Sequence, residues 1–377
     1  MVRRRDRLTE AKQHPTIGLM KIQSFRVRPV DVPLAIPLIT SGGSIHTVPL
    51  VLLDIETDAG VRGSSYVFTY QTRVLAPLAK LISNLEDFLR GDIVAPAEIS
   101  AKLNQSFRLV GPQGLTGMAM AAIDMAAWDA CARAASLPLV RFLGAVPKPL
   151  LAYQSRGLGI IGPEKAGEEA ARLIPGFRAI KARLGYADLE TDVAVIREVR
   201  KALDPGVLVM TDYNQSLTAP EAIRRAQALE AEDIYWIEEP VVADDFAGHA
   251  EVRAKTSIAI QTGENWWGTR DMNKSIAAGA SDFGMPDAVK IGGVTGWMRA
   301  AGIAQAHGMP ISSHLFPEIS AHLLAASPTG HWLEFVDFAS PLLQQPVIPQ
   351  NGFVTPSERP GIGLEWDETA ISRFIAP

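Results

Sequence analysis

Cysteine is almost absent from this chain of 377 residues, which contains only Cys131. A single thiol excludes an intrachain disulfide framework and a cysteine-based zinc site, and sparse cysteine is typical of a reducing compartment. Apolar runs are also too short for a membrane span, which needs roughly 18 apolar residues in succession. Residues 1–20 are rich in arginine but lack the apolar core of a signal peptide. We therefore expect a disordered tail over 1–20 and a cytoplasmic protein.

An excess of positive charge is absent as well. The chain has 36 basic and 41 acidic residues, which gives a net charge of −5. It also has no basic stripe with interleaved aromatic residues that could follow a phosphate backbone. These features argue against a nucleic-acid partner. With 47% hydrophobic and 20% charged residues, the composition is typical of an ordinary, rather apolar packed enzyme.

The first third of the chain predicts an α+β capping domain over residues 21–145. Residues 22–32 alternate between apolar and polar side chains, and 48–57 is a β-branched run before the turn Asp-Ala-Gly. This pattern indicates a meander of three strands that ends near residue 68. Helical spacing of apolar residues follows at 71–90, 95–109 and 115–135. Strands followed by helices are the pattern of an α+β fold.

Beyond residue 144 the pattern changes to short apolar strands that alternate with amphipathic helices, as in consecutive β-α-β units. Eight strands are predicted, at 150–157, 178–184, 206–212, 234–239, 257–263, 281–287, 309–314 and 331–336. This number favours a modified (β/α)8 barrel of the TIM type over an open sheet, although no eighth helix can be identified. We assign the barrel to 146–340 and expect residues 341–377 to return to the capping domain.

Three acidic residues follow one another at a spacing of 26 residues, each at or just past the end of a predicted strand: Asp212, Glu238 and Glu264. In a barrel the C-terminal ends of the strands converge on one mouth, where the active sites of this fold lie. Three adjacent carboxylates repel one another unless a divalent cation compensates them, and oxygen ligands suit Mg²⁺. The spacing therefore predicts a magnesium site, although acidic loop starts also coincide by chance.

Further polar residues occupy the other predicted strand ends. Lys181 and Arg183 lie two positions apart and so face the same way, while Asp287, His314 and Glu334 end the last three strands. An aspartate beside a histidine can orient the imidazole as a general base. Lys181 could hold a substrate carboxylate, and a protonated Glu334 could donate to a developing enolate. Together these groups describe removal of an α-proton from a carboxylate through a stabilised enediolate.

Seven longer motifs occur in order between about residue 25 and the C-terminus. They are AIDMAAWD at 122–129, TDYNQSL at 211–217, WIEEP at 236–240, GENW at 263–266, MPDAVKIGGVTGW at 285–297, SSHLF at 312–316 and WLE at 332–334. In this order the motifs resemble the enolase superfamily, and most closely its mandelate racemase subgroup, the mandelate racemase and muconate lactonizing enzymes. The resemblance implies an α+β cap on a modified barrel, a 2-hydroxycarboxylate substrate and a symmetric homo-oligomer, commonly an octamer.

The resemblance also implies roles for individual residues. The metal ligands would be Asp212, Glu238 and Glu264, the base dyad Asp287 and His314, and the electrophilic acid Glu334. Asn214 would contact the substrate α-hydroxyl, and the substrate carboxylate would meet Lys181 and Ser155. Residues 38–47 would form a mobile capping loop over the pocket, and the cap residues near the substrate would be Leu38, Ile45 and Tyr70.

Position 183 departs from the family pattern, which has Lys-X-Lys on the second strand with the second lysine as a base. Arginine has a pKa of about 12.5 or above, so forming a neutral base at pH 7 costs on the order of 7 kcal/mol. Arg156, beside Ser155, is a second departure and could favour a more polar substrate. Three functions therefore stay open: a racemase or epimerase, an acid-sugar dehydratase with His314 as single base, and a non-catalytic carboxylate-binding barrel. The intact dyad and acidic triad argue against the last.

Overall fold

The computed structural model describes residues 20–376. The predicted disordered tail lies outside this range except for its last residue. Met20 is 2% exposed, and its carbonyl accepts a hydrogen bond of 2.8 Å from the amide of Val94. Met20 therefore belongs to the capping domain rather than to the tail. None of the helices in the described range combines the length and apolar character that crossing a bilayer requires.

The capping domain begins with an antiparallel sheet in the order β1 (Ile22–Thr40), β2 (Gly43–Thr57) and β3 (Arg62–Phe68). Its helices follow as α1 (Thr72–Asn84), α2 (Glu86–Leu89), α3 (Pro96–Ser106), α4 (Leu115–Ala134) and α5 (Leu139–Phe142). Alanine-rich α4 packs very closely on β3. A Cβ added at Gly63 of β3 would stand only 2.0 Å from the carbonyl oxygen of Ala126 on α4, so only glycine fits there. The predicted α+β fold of the cap is confirmed.

The barrel consists of eight parallel strands that pair in chain order and close through β11 and β4. The strands are β4 (Leu150–Gln154), β5 (Ala179–Arg183), β6 (Leu208–Asp212), β7 (Ile234–Glu238), β8 (Ala259–Thr262), β9 (Phe283–Gly284), β10 (Ile311–Ser313) and β11 (Gly330–Phe335). The helices between them are α6 (Pro163–Leu173), α7 (Leu189–Lys201), α8 (Ala219–Leu229), α9 (Phe246–Arg253), α10 (Thr269–Ala278), α11 (Gly293–His307) and α12 (Pro317–Ala326). After β11 a short 3-10 turn at Ser340–Leu342 stands where an eighth helix would be. The predicted modified barrel is confirmed.

The C-terminal segment contacts both domains. Its strand β12 (Phe353–Val354) pairs antiparallel with β4, and its helix α13 (Glu368–Phe374) packs on β1. Arg28 of β1 pairs with Glu368 at 2.9 Å and with the buried Asp54 at 2.6 Å. Asp54 also accepts a bond of 2.8 Å from the indole of Trp366. The segment thus ties the cap to the barrel, while the exact domain boundaries stay a prediction.

A second connection between cap and barrel joins β3 to the start of α12. The hydroxyl of Tyr66 donates to Glu318 at 2.5 Å, and the Tyr66 ring packs on Phe316 with centroids 5.2 Å apart. Burial raises the pKa of Glu318 to about 7, although the bond from Tyr66 lowers it. Glu318 is therefore protonated in the folded state at a pH where the unfolded chain has already released the proton.

We expect Glu318→Gln to stabilise the protein more at pH 8 than at pH 5. The carboxyl of Glu318 has a pKa of about 7 in the folded protein and 4.5 in the unfolded chain. The free energy of unfolding therefore falls as the pH rises between these two values. The loss amounts to about 3 kcal/mol above pH 7, and glutamine, which does not titrate, avoids it. Thermal unfolding of both proteins at the two pH values measures the difference. An equal difference at pH 5 and pH 8 would contradict the expectation.

Candidate active site

The three predicted metal ligands meet at the mouth of the barrel. Asp212 ends β6 opposite Glu238 at the end of β7, and Glu264 follows β8 by two residues. One carboxylate oxygen from each lies within 4.8 Å of the others. Burial raises the pKa of Glu238 well above its usual range; Lys181 opposes this shift and Asp212 adds to it. Three hard oxygen donors that repel one another fit a Mg²⁺ ion, which these residues would hold.

Lys181 extends from β5 into the same cluster and is 1% exposed. Its ammonium lies 2.5 Å from Glu238, 3.1 Å from Asp212 and 2.9 Å from Glu334. Burial lowers the pKa of Lys181, but the three carboxylates outweigh it and raise the pKa well above its ordinary value. Lys181 therefore carries a positive charge at the centre of the mouth.

Glu334 at the end of β11 differs from the expectation that it is protonated. Its carboxylate accepts bonds from the hydroxyl of Ser155 at 2.7 Å and from the amide of Leu315 at 2.9 Å. Burial alone would raise its pKa, but Lys181, followed by His314, lowers the pKa to about 2. The ammonium of Lys181 thus favours the ionised form of this glutamate, whereas donation of a proton to an enolate would need the protonated form.

The predicted base dyad is assembled across neighbouring strands. His314 Nδ1 lies 2.7 Å from Asp287 Oδ2, and the other Asp287 oxygen accepts from the amides of Val289 and Lys290 at 2.7 and 2.9 Å. The carboxylate thereby fixes the hydrogen on Nδ1 and leaves Nε2 to accept a proton. Nε2 stands 3.4 Å from Glu264, directly beside the metal ligands.

The backbone after His314 is strained. Leu315 and Phe316 have φ of 49° and 51°, in the left-handed region that residues other than glycine rarely adopt. Such residues cost about 1–3 kcal/mol each and persist only where surrounding contacts hold them. Here the bond from the Leu315 amide to Glu334 and the packing of Phe316 on Tyr66 supply those contacts.

Arg183 is held by backbone carbonyls rather than by an acidic partner. Its Nη1 donates to the carbonyls of Gly157 at 2.8 Å and Ser155 at 3.2 Å, and Nη2 donates to Ser155 as well. The side chain is 4% exposed and lines the cavity. These bonds anchor the loop after β4 and engage the guanidinium as a donor, which does not favour a role as base.

Asn214 has one free acceptor at the site. Its amide and its Nδ2 both donate to Asp212, at 2.7 and 3.0 Å. Among residues 20–376 no group donates to its buried Oδ1. A substrate hydroxyl is therefore a suitable donor for this oxygen.

A cavity of about 340 Å³ connects the cap to the barrel mouth. Cap residues form an apolar wall, and the predicted contacts Leu38, Ile45 and Tyr70 all belong to it. Residues 38–47 are part of the β1–β2 hairpin and its turn, and the carbonyl of Ile39 accepts a bond of 3.0 Å from the amide of Ile160 on the barrel. Most predicted site residues line this one cavity: Ser155, Lys181, Arg183, Asp212, Asn214, Glu264, His314 and Glu334. Two others, Glu238 and Asp287, stand behind Lys181 and His314.

Other contributors could not be singled out from the sequence. Leu34 and Ile36 of the hairpin and Phe338 after β11 complete the apolar wall. Asn265 and Lys290 form a polar contact next to the acidic cluster. In the sequence, Asn265 is notable only because it follows Glu264, and Lys290 only because it lies inside the motif at 285–297. Neither position distinguishes a site residue from a neighbour of the site.

Fold and site together define a barrel enzyme in which an acidic triad and a histidine–aspartate dyad share one cavity under a cap. Two family models match the chain: the mandelate racemase / muconate lactonizing enzyme N-terminal domain over residues 22–144, and the enolase C-terminal domain-like model over 165–370. The chain belongs to the mandelate racemase / muconate lactonizing enzyme family of the enolase superfamily.

The chain is similar to proteins of several activities. A solved Bradyrhizobium enolase complexed with magnesium and mandelic acid is 43% identical, with a TM-score of 0.92 over 96% of this chain and 100% of that one. The 3,6-anhydro-alpha-L-galactonate cycloisomerase of Streptomyces coelicolor is 31% identical over 94% of this chain and 99% of its own. The L-talarate/galactarate dehydratase of Salmonella typhimurium is 29% identical over 96% and 92%. Relatives with these names are isomerases and hydro-lyases, and the chain is an enzyme of the same superfamily.

Proposed function

We propose that this protein is a Mg²⁺-dependent enzyme that removes the α-proton of a 2-hydroxycarboxylate with an apolar substituent, using His314 as the base. The observation that carries the proposal is the Asp287–His314 dyad, whose Nε2 lies 3.4 Å from Glu264 at the acidic triad. A base beside a cationic centre is the arrangement that lets a very weakly acidic C–H lose its proton.

The polar side of the cavity supports binding of the substrate head group. The ammonium of Lys181 would attract the carboxylate, and the unpartnered Oδ1 of Asn214 would accept from the α-hydroxyl. When bound at the acidic triad, Mg²⁺ supplies positive charge that stabilises the enediolate formed on proton loss. His314 would take the proton on Nε2 while Asp287 stabilises the resulting imidazolium.

The apolar side of the cavity supports the choice of substituent. Leu34, Leu38 and Ile45 from the hairpin face the same space as Phe68 and Phe338. A chain of hydroxyl groups would lose its water there without gaining hydrogen bonds, which is costly. An aryl or alkyl group would instead gain from burial.

The second candidate is β-elimination of water from an acid sugar with His314 as the single base. It is favoured by the bonds of Arg183 to the carbonyls of Ser155 and Gly157, because racemisation needs a base on each face of the α-carbon. In elimination the α-proton passes to His314, which returns a proton to the departing β-hydroxyl; the β C–O bond breaks with release of water, and the enol becomes a 2-keto acid. Arg156, paired with Asp337 at 3.2 Å on the cavity rim, would suit a polar substrate.

Arg183→Lys is expected to add proton exchange on the face opposite His314. A buried lysine loses its proton far more readily than an arginine, and a positioned base accelerates proton transfer by about 10²-fold or more. Chiral chromatography of the product formed from a single enantiomer measures how much inversion each variant catalyses. Arg183→Met is the matched control, since it removes the same carbonyl bonds without supplying a base. Equal inversion by both variants would mean that position 183 does not face the α-carbon.

The proposed function is tested by NMR of the Mg²⁺-loaded protein in D₂O with each mandelate enantiomer and with galactarate. We expect loss of the α-proton signal from one mandelate enantiomer. Inversion by the unmodified protein would mean that another group acts as second base, which is the racemase reaction. Formation of a 2-keto acid from galactarate would favour the dehydratase, and no exchange with any 2-hydroxycarboxylate would refute the proposal.

A further inference from the structure

Three polar side chains that the proposed reaction does not use form a partly buried chain beside the acidic triad. Glu239 directly follows Glu238, and Asn265 directly follows Glu264. Asn265 Nδ2 donates to Glu239 at 2.7 Å and to Glu264 at 3.2 Å. Its Oδ1 accepts from the ammonium of Lys290 at 2.5 Å. The asparagine amide is thus oriented by a cation on one side and an anion on the other.

Lys290 also contacts the half of the site that holds the base. Its backbone amide donates to Asp287 at 2.9 Å, and its carbonyl accepts from Gly268 at 3.0 Å. The residue is 7% exposed, so both contacts are shielded from water. One residue therefore contacts the base dyad through its backbone, and through its side chain it contacts Asn265, the donor to the predicted metal ligand Glu264.

The capping domain covers the Lys290 ammonium. The centroid of the Tyr70 ring lies 4.4 Å from Nζ, close enough for a cation–π interaction. Tyr70 has a φ of 60° and packs on Phe68 with ring centroids 4.5 Å apart, so its ring is fixed by the cap. The cap therefore directly contacts the ammonium that bonds to Asn265.

We propose that Lys290 is a positioning residue that couples Mg²⁺ binding to the seating of the cap. With its ammonium between Tyr70 and Asn265, the amide of Asn265 holds Glu264 in the orientation that the ion needs. Without the ammonium, Asn265 keeps only its bond to Glu239, and its donation to Glu264 weakens. Groups that orient metal ligands in this way typically change metal affinity by about 10- to 100-fold. The inference rests on the metal site of the proposed function but not on its reaction.

The test compares Lys290→Met with wild type by calorimetric titration of the metal-free protein with Mg²⁺, without substrate. We expect the Kd of Lys290→Met to rise by about 10- to 100-fold. Lys274→Met, at an exposed lysine paired with Asp271, is the matched control and should keep the wild-type Kd. A merely structural role would lower the unfolding temperature in EDTA and leave the Kd unchanged. A wild-type Kd for Lys290→Met overturns the inference, whatever reaction the enzyme catalyses.

A second pair of variants decides the matter if Lys290→Met does not fold. Tyr70→Leu removes the aromatic face over the ammonium, whereas Tyr70→Phe keeps it. We expect Tyr70→Leu to bind Mg²⁺ roughly 3- to 10-fold more weakly than Tyr70→Phe, in line with a shielded cation–π contact. Equal affinities for the two variants would show that the cap does not act on the metal site through Lys290.

Discussion

Replacement of His314 by asparagine is expected to lower α-proton exchange by roughly 10³-fold, within the range that a positioned general base contributes. Asparagine can still donate to Asp287, which lies 2.7 Å from the imidazole, but it cannot accept the substrate proton. Mg²⁺ binding should persist, because all three acidic ligands remain. Exchange is followed by loss of the α-proton signal in D₂O.

The same substitution at His307, an exposed residue at the end of α11, is the control and should leave exchange at the wild-type rate. Exchange by the His314 variant at more than about one tenth of the wild-type rate would place the base elsewhere. A loss of Mg²⁺ binding in this variant would instead show that His314 supports the metal site, from which it is only 3.4 Å away.

Glu238→Gln is expected to weaken Mg²⁺ binding by at least about 100-fold, more than the loss of a group that only orients a ligand. The change removes one of three negative charges and leaves an amide facing the ammonium of Lys181, 2.5 Å from the present oxygen. Turnover should disappear with the metal. Calorimetric titration of the metal-free protein with Mg²⁺ measures the affinity.

Glu198→Gln on α7, where the glutamate pairs with Lys201 on the surface, is the control for the loss of one charge. Tight Mg²⁺ binding by the Glu238 variant would contradict the assignment of the triad. The two predictions also separate two parts of the site, because the His314 variant should lose only proton exchange and the Glu238 variant should lose both properties.

The architecture followed from periodicity. Alternation in the first strands and the repeat of strand and helix beyond residue 144 predicted both the cap and the barrel, because side-chain period reflects which faces are buried. The equal spacing of Asp212, Glu238 and Glu264 follows the repeat of strand and helix, and it therefore predicted three acidic residues at adjacent strand ends. The prediction that residue 20 belongs to a tail was wrong, since a single buried methionine beside arginine-rich sequence leaves no periodic pattern.

Details of the site depended on contacts between distant segments. Whether Glu334 is protonated depends on Lys181, which reaches it from another strand at 2.9 Å. The bonds of Arg183 to the loop after β4 likewise join residues 26 to 28 positions apart. No local pattern encodes which carbonyl a guanidinium meets, because its reach depends on how two loops lie side by side.

The sequence by itself determined which residue types stand at the mouth of the barrel, because strand ends converge there by geometry alone. Only the tertiary structure decided their charge states and partners. It joined Tyr70 of the cap to Lys290 of the barrel, and it formed an apolar wall from the β1–β2 hairpin. Ionisation, hydrogen bonding and cavity shape depend on distances of a few ångströms across domains, and chain order does not specify those distances.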